Sequence, residues 1–140
     1  MPTVINGTSV FQHQEYTKIT DTPVNDATDA TYTATACIGG VITRDAGLTN
    51  KNDTLPDAAS LIAAMQADNA AVGIASSFRF FVYNTSSLSR IDLSGGAGST
   101  VYGAARIKPE RVIQIAAVVV ETAPTLEAVN YYVLTNSDLV

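Results

Sequence analysis

Of the whole chain, the stretch RIDLSGGAGSTVYG, Arg90 to Gly103, comes nearest in residue type to a ligand site, with four glycines and a run of hydroxyls between apolar residues. Glycine frees backbone N–H groups to cradle a phosphate when a strand precedes the loop and a helix follows, because the helix adds the positive end of its dipole. Here the residues that follow, TVYGAARI, are β-like. A Walker loop requires Lys ahead of its hydroxyl residue, whereas Ser99 follows Gly98. A dinucleotide fingerprint beginning at Gly96 requires Gly or Ala where Val101 stands. Both templates fail, and the glycines are read as positive-φ residues in a tight connection between strands.

The other side chains able to do chemistry are dispersed. His13 is the sole histidine, with no Ser or Cys in a nucleophile context beside it. Cys37 is the sole cysteine, so no intrachain disulfide forms, and Cys and His together are too few for a closed zinc site. Asp53 and Asp57 flank an expected helix start, where the helix dipole favours negative charge. Asp21, Asp26 and Asp29 lack the alternation and central Gly of a calcium loop and are read as solvated turn acids. The net charge is −5 and the eight Lys and Arg are scattered, so no basic face speaks for nucleic acid. No segment has the length of an apolar membrane span, and the first residues show no basic region followed by an apolar run. The expectation is therefore no catalytic residue, no cofactor, no metal, no membrane partner and synthesis in a reducing cytoplasm.

A chain of 140 residues with 46% hydrophobic side chains can bury one core. Residues 1–30 mix Thr, Asn, Asp and Pro with isolated apolar residues and predict an extended arm, either a disordered or locally packed tail or a segment laid on a neighbouring subunit with Phe11 and Tyr16 as anchors. Residues 31–140 predict a single β-domain. ATYTATACI alternates, with Tyr32, Ala34, Ala36 and Ile38 on one side, and predicts a strand. DAGLTNKND reads as a polar loop. TLPDAASLIAAMQADN predicts the one helix, at about 55–68, with Thr54 as cap, Pro56 in the first turn and an apolar stripe of Ala58, Leu61, Ile62 and Met65. SFRFFVYN, RVIQIAAVVVETA and AVNYYVLT predict strands apolar on both faces, as in a central strand or one covered by another subunit. Short strands separated by turns predict an antiparallel β-sandwich or jelly roll.

The succession GGVITRD, NDTLPDAASLIAAM, SFRFFVYNTS, LSGGAG and YYVLTNS, over about residues 34 to 136, resembles small β-rich proteins of the virions of tailed phages and large aquatic DNA viruses. Its most specific parts are the TRD strand end and the DTLP helix start. The chain departs from that pattern at Gly73-Ile74-Ala75-Ser76, where a polar or acidic residue and a glycine are usual, and in its N-terminal arm. The resemblance implies a capsid-decorating, head-fibre or tail-associated protein without enzymatic activity, located on the virion surface.

Together these readings predict a virion structural protein that cements or decorates a capsid, a homotrimer whose partners are sister chains and the major capsid protein or other virion proteins. Its interface candidates are Phe11, Tyr16, Phe81, Tyr83, Tyr131 and Tyr132; of the adjacent pair Tyr131 and Tyr132, one must face away from the core. The alternative is a fibre or tail receptor-binding domain that holds a glycan with loops 45–53 and 94–99, and Tyr83, Tyr102, Tyr131 and Tyr132 as stacking platforms.

Overall fold

A computed structural model of the chain describes residues 18–136. It is mainly β, with nine strands and two helices among these residues. In chain order the elements are β1 (Thr20–Val24), α1 (Ala34–Gly39), β2 (Gly40–Arg44), β3 (Lys51–Thr54), α2 (Ala58–Asp68), β4 (Ser77–Asn84), β5 (Ile91–Ser94), β6 (Ser99–Tyr102), β7 (Arg106–Ile107), β8 (Val112–Glu121) and β9 (Ala128–Asn136).

The strands form a six-stranded sheet in the order β1-β2-β4-β8-β9-β6 and a three-stranded sheet in the order β3-β5-β7. Both are mixed. β1, β2 and β4 run parallel, β8 is antiparallel to β4 and β9, and β6 lies parallel to β9. The expected all-antiparallel arrangement is thus corrected, and the helices are the reason. Parallel neighbours need a crossover, and α1 supplies it between β1 and β2 while α2 lies on the path from β2 to β4.

Residues 34–38 were expected to lie in a strand and belong to α1 instead. Thr33 sits in extended backbone and its hydroxyl accepts from the Ala36 N–H at 3.1 Å, and Gly40, at φ 104°, ends the helix in the left-handed region. Cys37, assigned to the opposite side of a strand from Tyr32 and Ala36, is buried with both of them. A helix of six residues makes fewer than two turns, too short to display its period against alternating Thr and Ala.

The longer helix runs over Ala58–Asp68 and not from Thr54, which ends β3. Its cap is Asp57, whose carboxylate accepts from the Ser60 N–H at 2.8 Å and the Ser60 hydroxyl at 2.9 Å. The expected stripe Ala58, Leu61, Ile62 and Met65 is the buried face. It covers the sheet's inner side, where Ile42, Phe80, Val82, Ile113, Ile115, Ala117, Val119, Val129 and Tyr131 are all buried. Residues 20–30, expected in the arm, join this unit. Thr20–Val24 pair with β2 as an edge strand whose Pro23 blunts further pairing, and Ala30 is buried. Phe11 and Tyr16 lie outside the described residues.

The two sheets are tied by one ion pair without solvent contact. Arg44, at the end of β2, donates from Nε to Asp53 Oδ2 at 2.7 Å and from Nη2 to Oδ1 at 3.1 Å. Asp53, on β3, also receives the Tyr32 hydroxyl at 2.9 Å and the Ala30 N–H at 2.8 Å. Burial alone would lower the Arg44 pKa, but the hydrogen bond and attraction of Asp53 outweigh it and hold it above its ordinary value. Burial, and then the neighbouring Asp53 charge, push the Tyr32 phenol well up, so it stays a donor.

Candidate interaction surface

The glycine stretch is not a ligand cradle. β5 belongs to the small sheet and β6 to the large one, so residues 95–98 link two sheets and form no hairpin. The loop meets the start of α2 with an acceptor, as Ala58 N–H donates to the Ala97 carbonyl at 2.9 Å. With the Asp57 carboxylate beside it, this helix end already holds its negative charge. A Cβ on Gly96 would lie 2.7 Å from Asp57 N, so the glycine is there for close approach, while Gly98 supplies a φ of 75°. Nor do loops 45–53 and 94–99 form one site. β3 and β5 are parallel with Lys51 opposite Ile91 and Thr54 opposite Ser94, which places the two loops at opposite ends of the small sheet. Residues 51–53, read as loop, are strand, with Lys51 and Asp53 pointing inward.

The surface that does stand out is the outer face of the six-stranded sheet. Register places Val41, Phe81 and Gln114 in one row, Thr43, Tyr83 and Val112 in the next, and Arg79, Ala116, Tyr132 and Tyr102 in a third. Phe81 is 41% exposed, Tyr83 39%, Tyr132 38% and Tyr102 48%. Val112, Val120 and Leu134 are exposed as well. Tyr102 and Tyr132 stack, with ring centroids 5.2 Å apart and planes 15° from parallel. From β2 to β6, the charges of this face among the described residues are Arg79 and, at the end of β8 where a bulge sets it opposite Ala128, Glu121. Five strands at a spacing of about 4.8 Å make it about 19 Å wide, more than the single scattered hydrophobics of an ordinary surface.

Of the expected interface residues, Phe81, Tyr83 and Tyr132 share this face. Tyr131 does not: it is buried, its hydroxyl donates to the Pro56 carbonyl at 2.8 Å, and its ring meets Phe80 edge-on. It anchors α2 to the sheet, and burial pushes its phenol pKa up. Val112, Val120 and Leu134 were missed as surface residues, although the alternation of β8 set Val112 and Val120 opposite the buried Ile113, Ile115 and Val119.

The titratable groups gather elsewhere. Asp92 on β5 accepts from Arg106 at 2.6 Å and Arg90 at 3.0 Å; partial burial would raise its pKa, but the two arginines hold it below the usual carboxylate value. Burial pushes the Cys37 thiol up to about 12, far from a nucleophile's range. Among the described residues no three of His, Cys, Asp and Glu gather as a metal site, and no helix is long and apolar enough to cross a membrane. Asp21, expected in a turn, lies in β1 and receives the Thr43 hydroxyl, while Asp29, outside the strands, receives the Asn52 N–H; both are exposed. Comparison with known protein families, with curated proteins and with solved structures finds no match to this chain.

Proposed function

We propose that this chain is a non-enzymatic structural protein of a virion surface, cementing or decorating a capsid by contacts between subunits. The observation that supports this reading is the outer sheet face, where Phe81, Tyr83, Tyr102, Tyr132, Val112, Val120 and Leu134 stay exposed on the side away from both helices. A sheet buries both faces when a second layer covers it, so a neighbouring polypeptide on this side would complete the expected sandwich. A face about 19 Å wide and of similar height presents on the order of 400 Å², so its apolar part contributes less than about 10 kcal/mol at 25 cal/mol per Å², since Thr43, Gln114, Arg79 and Asn130 share it. Association costs are of similar size, so one contact is modest and repetition over many copies supplies the strength. In this reading the oligomer is a trimer, in which the face meets a different surface of the next subunit and the ring closes after three copies.

Sedimentation equilibrium tests it with the full chain and with a Phe81→Asp, Tyr132→Asp double variant. Both sites point outward, so circular dichroism is expected to show the fold retained. The reading expects a defined homo-oligomer for the first and monomers for the second. A native chain that stays monomeric at every concentration, or a variant that assembles unchanged, refutes it.

A further inference from the structure

Lysine is almost never buried without a carboxylate partner, because desolvating its ammonium costs several kcal/mol. Lys51 on β3 is 4% exposed, and no carboxylate lies within ion-pair distance of it among the described residues. Its ammonium donates to the Thr49 hydroxyl at 2.6 Å and the Thr49 carbonyl at 3.1 Å, which leaves a third N–H without a protein partner. Both residues line a pocket of about 320 Å³, closed by Asn25, Asp26 and Ala27 on one side and residues 45–48 on the other. No hydrogen bond reaches the Asp26 carboxylate among the described residues, and Asp45 uses Oδ1 to accept from the Gly47 N–H at 2.8 Å.

The walls of this pocket are held from behind. Buried Arg44 donates to the Asp26 carbonyl at 2.8 Å, the Asp45 carbonyl at 3.2 Å and the Thr28 carbonyl at 2.8 Å. Ser86 Oγ donates to the Gly47 carbonyl at 2.8 Å, which fixes the loop tip. A loop tied at both ends presents its side chains with little ordering left to be done on binding.

We propose that this pocket binds a neutral polyhydroxylated ligand of about one sugar ring. Two carboxylates and one ammonium leave a net charge of −1, which disfavours an anion, and the ammonium disfavours a divalent cation. Hydroxyls suit the set: they donate to Asp26 and Asp45 and accept from Lys51. Leu48, 82% exposed at the rim, offers an apolar contact to the C–H face of a ring. The pocket is at the small end of the ligand-site range. It stands apart from the outer sheet face, so the inference does not depend on the assembly reading.

The test is a titration of the full ¹⁵N-labelled chain, followed by amide shifts, with D-glucose, D-galactose, D-mannose and N-acetyl-D-glucosamine. At least one sugar is expected to shift Asn25–Ala27 and Gly47–Lys51, saturating in the low-millimolar range, about −4 kcal/mol. Lys51→Met, of similar length without the charge, and Asp26→Asn, whose carboxylate accepts no hydrogen bond among the described residues, are each expected to weaken this about tenfold, the loss of one charge-assisted hydrogen bond. If Lys51→Met fails to fold, Asp26→Asn alone decides. No shift with any sugar up to about 100 mM, affinities well below the millimolar class of a weak site, overturns the proposal. So do shifts unaltered in the variants, or the same loop responding to calcium chloride or inorganic phosphate in place of the sugars.

Discussion

Replacing Asp53 by Asn keeps the volume of the side chain and removes its charge, leaving Arg44 buried without its ion-pair partner. Asp53 receives four hydrogen bonds, from Arg44 Nε, Arg44 Nη2, Tyr32 Oη and Ala30 N. An Asn has one acceptor oxygen, and its amide would point hydrogens at groups that are donors themselves. Breaking a buried pair at one partner costs about 3–5 kcal/mol, a large share of the 5–15 kcal/mol that holds a typical domain folded. With a urea slope of about 2 kcal/mol per M, the unfolding midpoint should fall by about 2 M with the slope unchanged. Asp92→Asn is the control. Its arginine partners are 40% and 56% exposed, so solvent screens the pair and the expected loss is below about 1 kcal/mol. Equal midpoint shifts for the two variants would refute the claim that the Arg44–Asp53 pair ties the sheets together.

Cys37 should resist Ellman's reagent at pH 8 in the native chain and react at once in urea, because its thiol is buried and its pKa stands at about 12; native reaction at the unfolded rate contradicts this. Asp57→Ala should cost about 1 kcal/mol at pH 7, as loss of a helix cap does. The hydrogen bonds from the Ser60 N–H and hydroxyl hold the Asp57 pKa below its usual 3.8, so its contribution is complete above that value and disappears as pH falls through the folded value. The gap between variant and native chain in urea titrations should therefore narrow below about pH 4, and a constant gap argues against the cap. Gly96→Ala places a methyl 2.7 Å from Asp57 N and 2.8 Å from the Leu55 carbonyl, both backbone, and should lower stability by about 1–3 kcal/mol in the same assay.

Strands β4, β8 and β9 and the stripe of α2 were legible in the sequence because each is long enough to display its period against its own neighbours. The outer face followed from the same alternation, which put Phe81 and Tyr83 opposite Phe80 and Val82 and one of Tyr131 and Tyr132 outward. Which of the two faces out depends on the pairing with β8, and pairing is not local. β3 was hidden because its inward side chains are Lys51 and Asp53, polar residues whose partners lie on other segments. α1 was hidden by brevity, and with it the parallel half of the large sheet, since the direction of a strand is set by the crossover before it. Loop 45–53 was named from the sequence as a glycan loop, but with the wrong companion: burial of Lys51, the anchoring by Arg44 and the approach of residues 25–27 to residues 45–49 are all tertiary.

The central claim, that another polypeptide covers the outer face of the large sheet, is tested most directly by hydroxyl-radical footprinting over a dilution series. The account predicts that Phe81, Tyr83, Tyr102 and Tyr132 are shielded together at high protein concentration and are modified together on dilution, while exposed Leu48 and Leu88 react alike throughout. Aromatic modification on this face that is already complete at the highest concentration, and the same at the lowest, would contradict it.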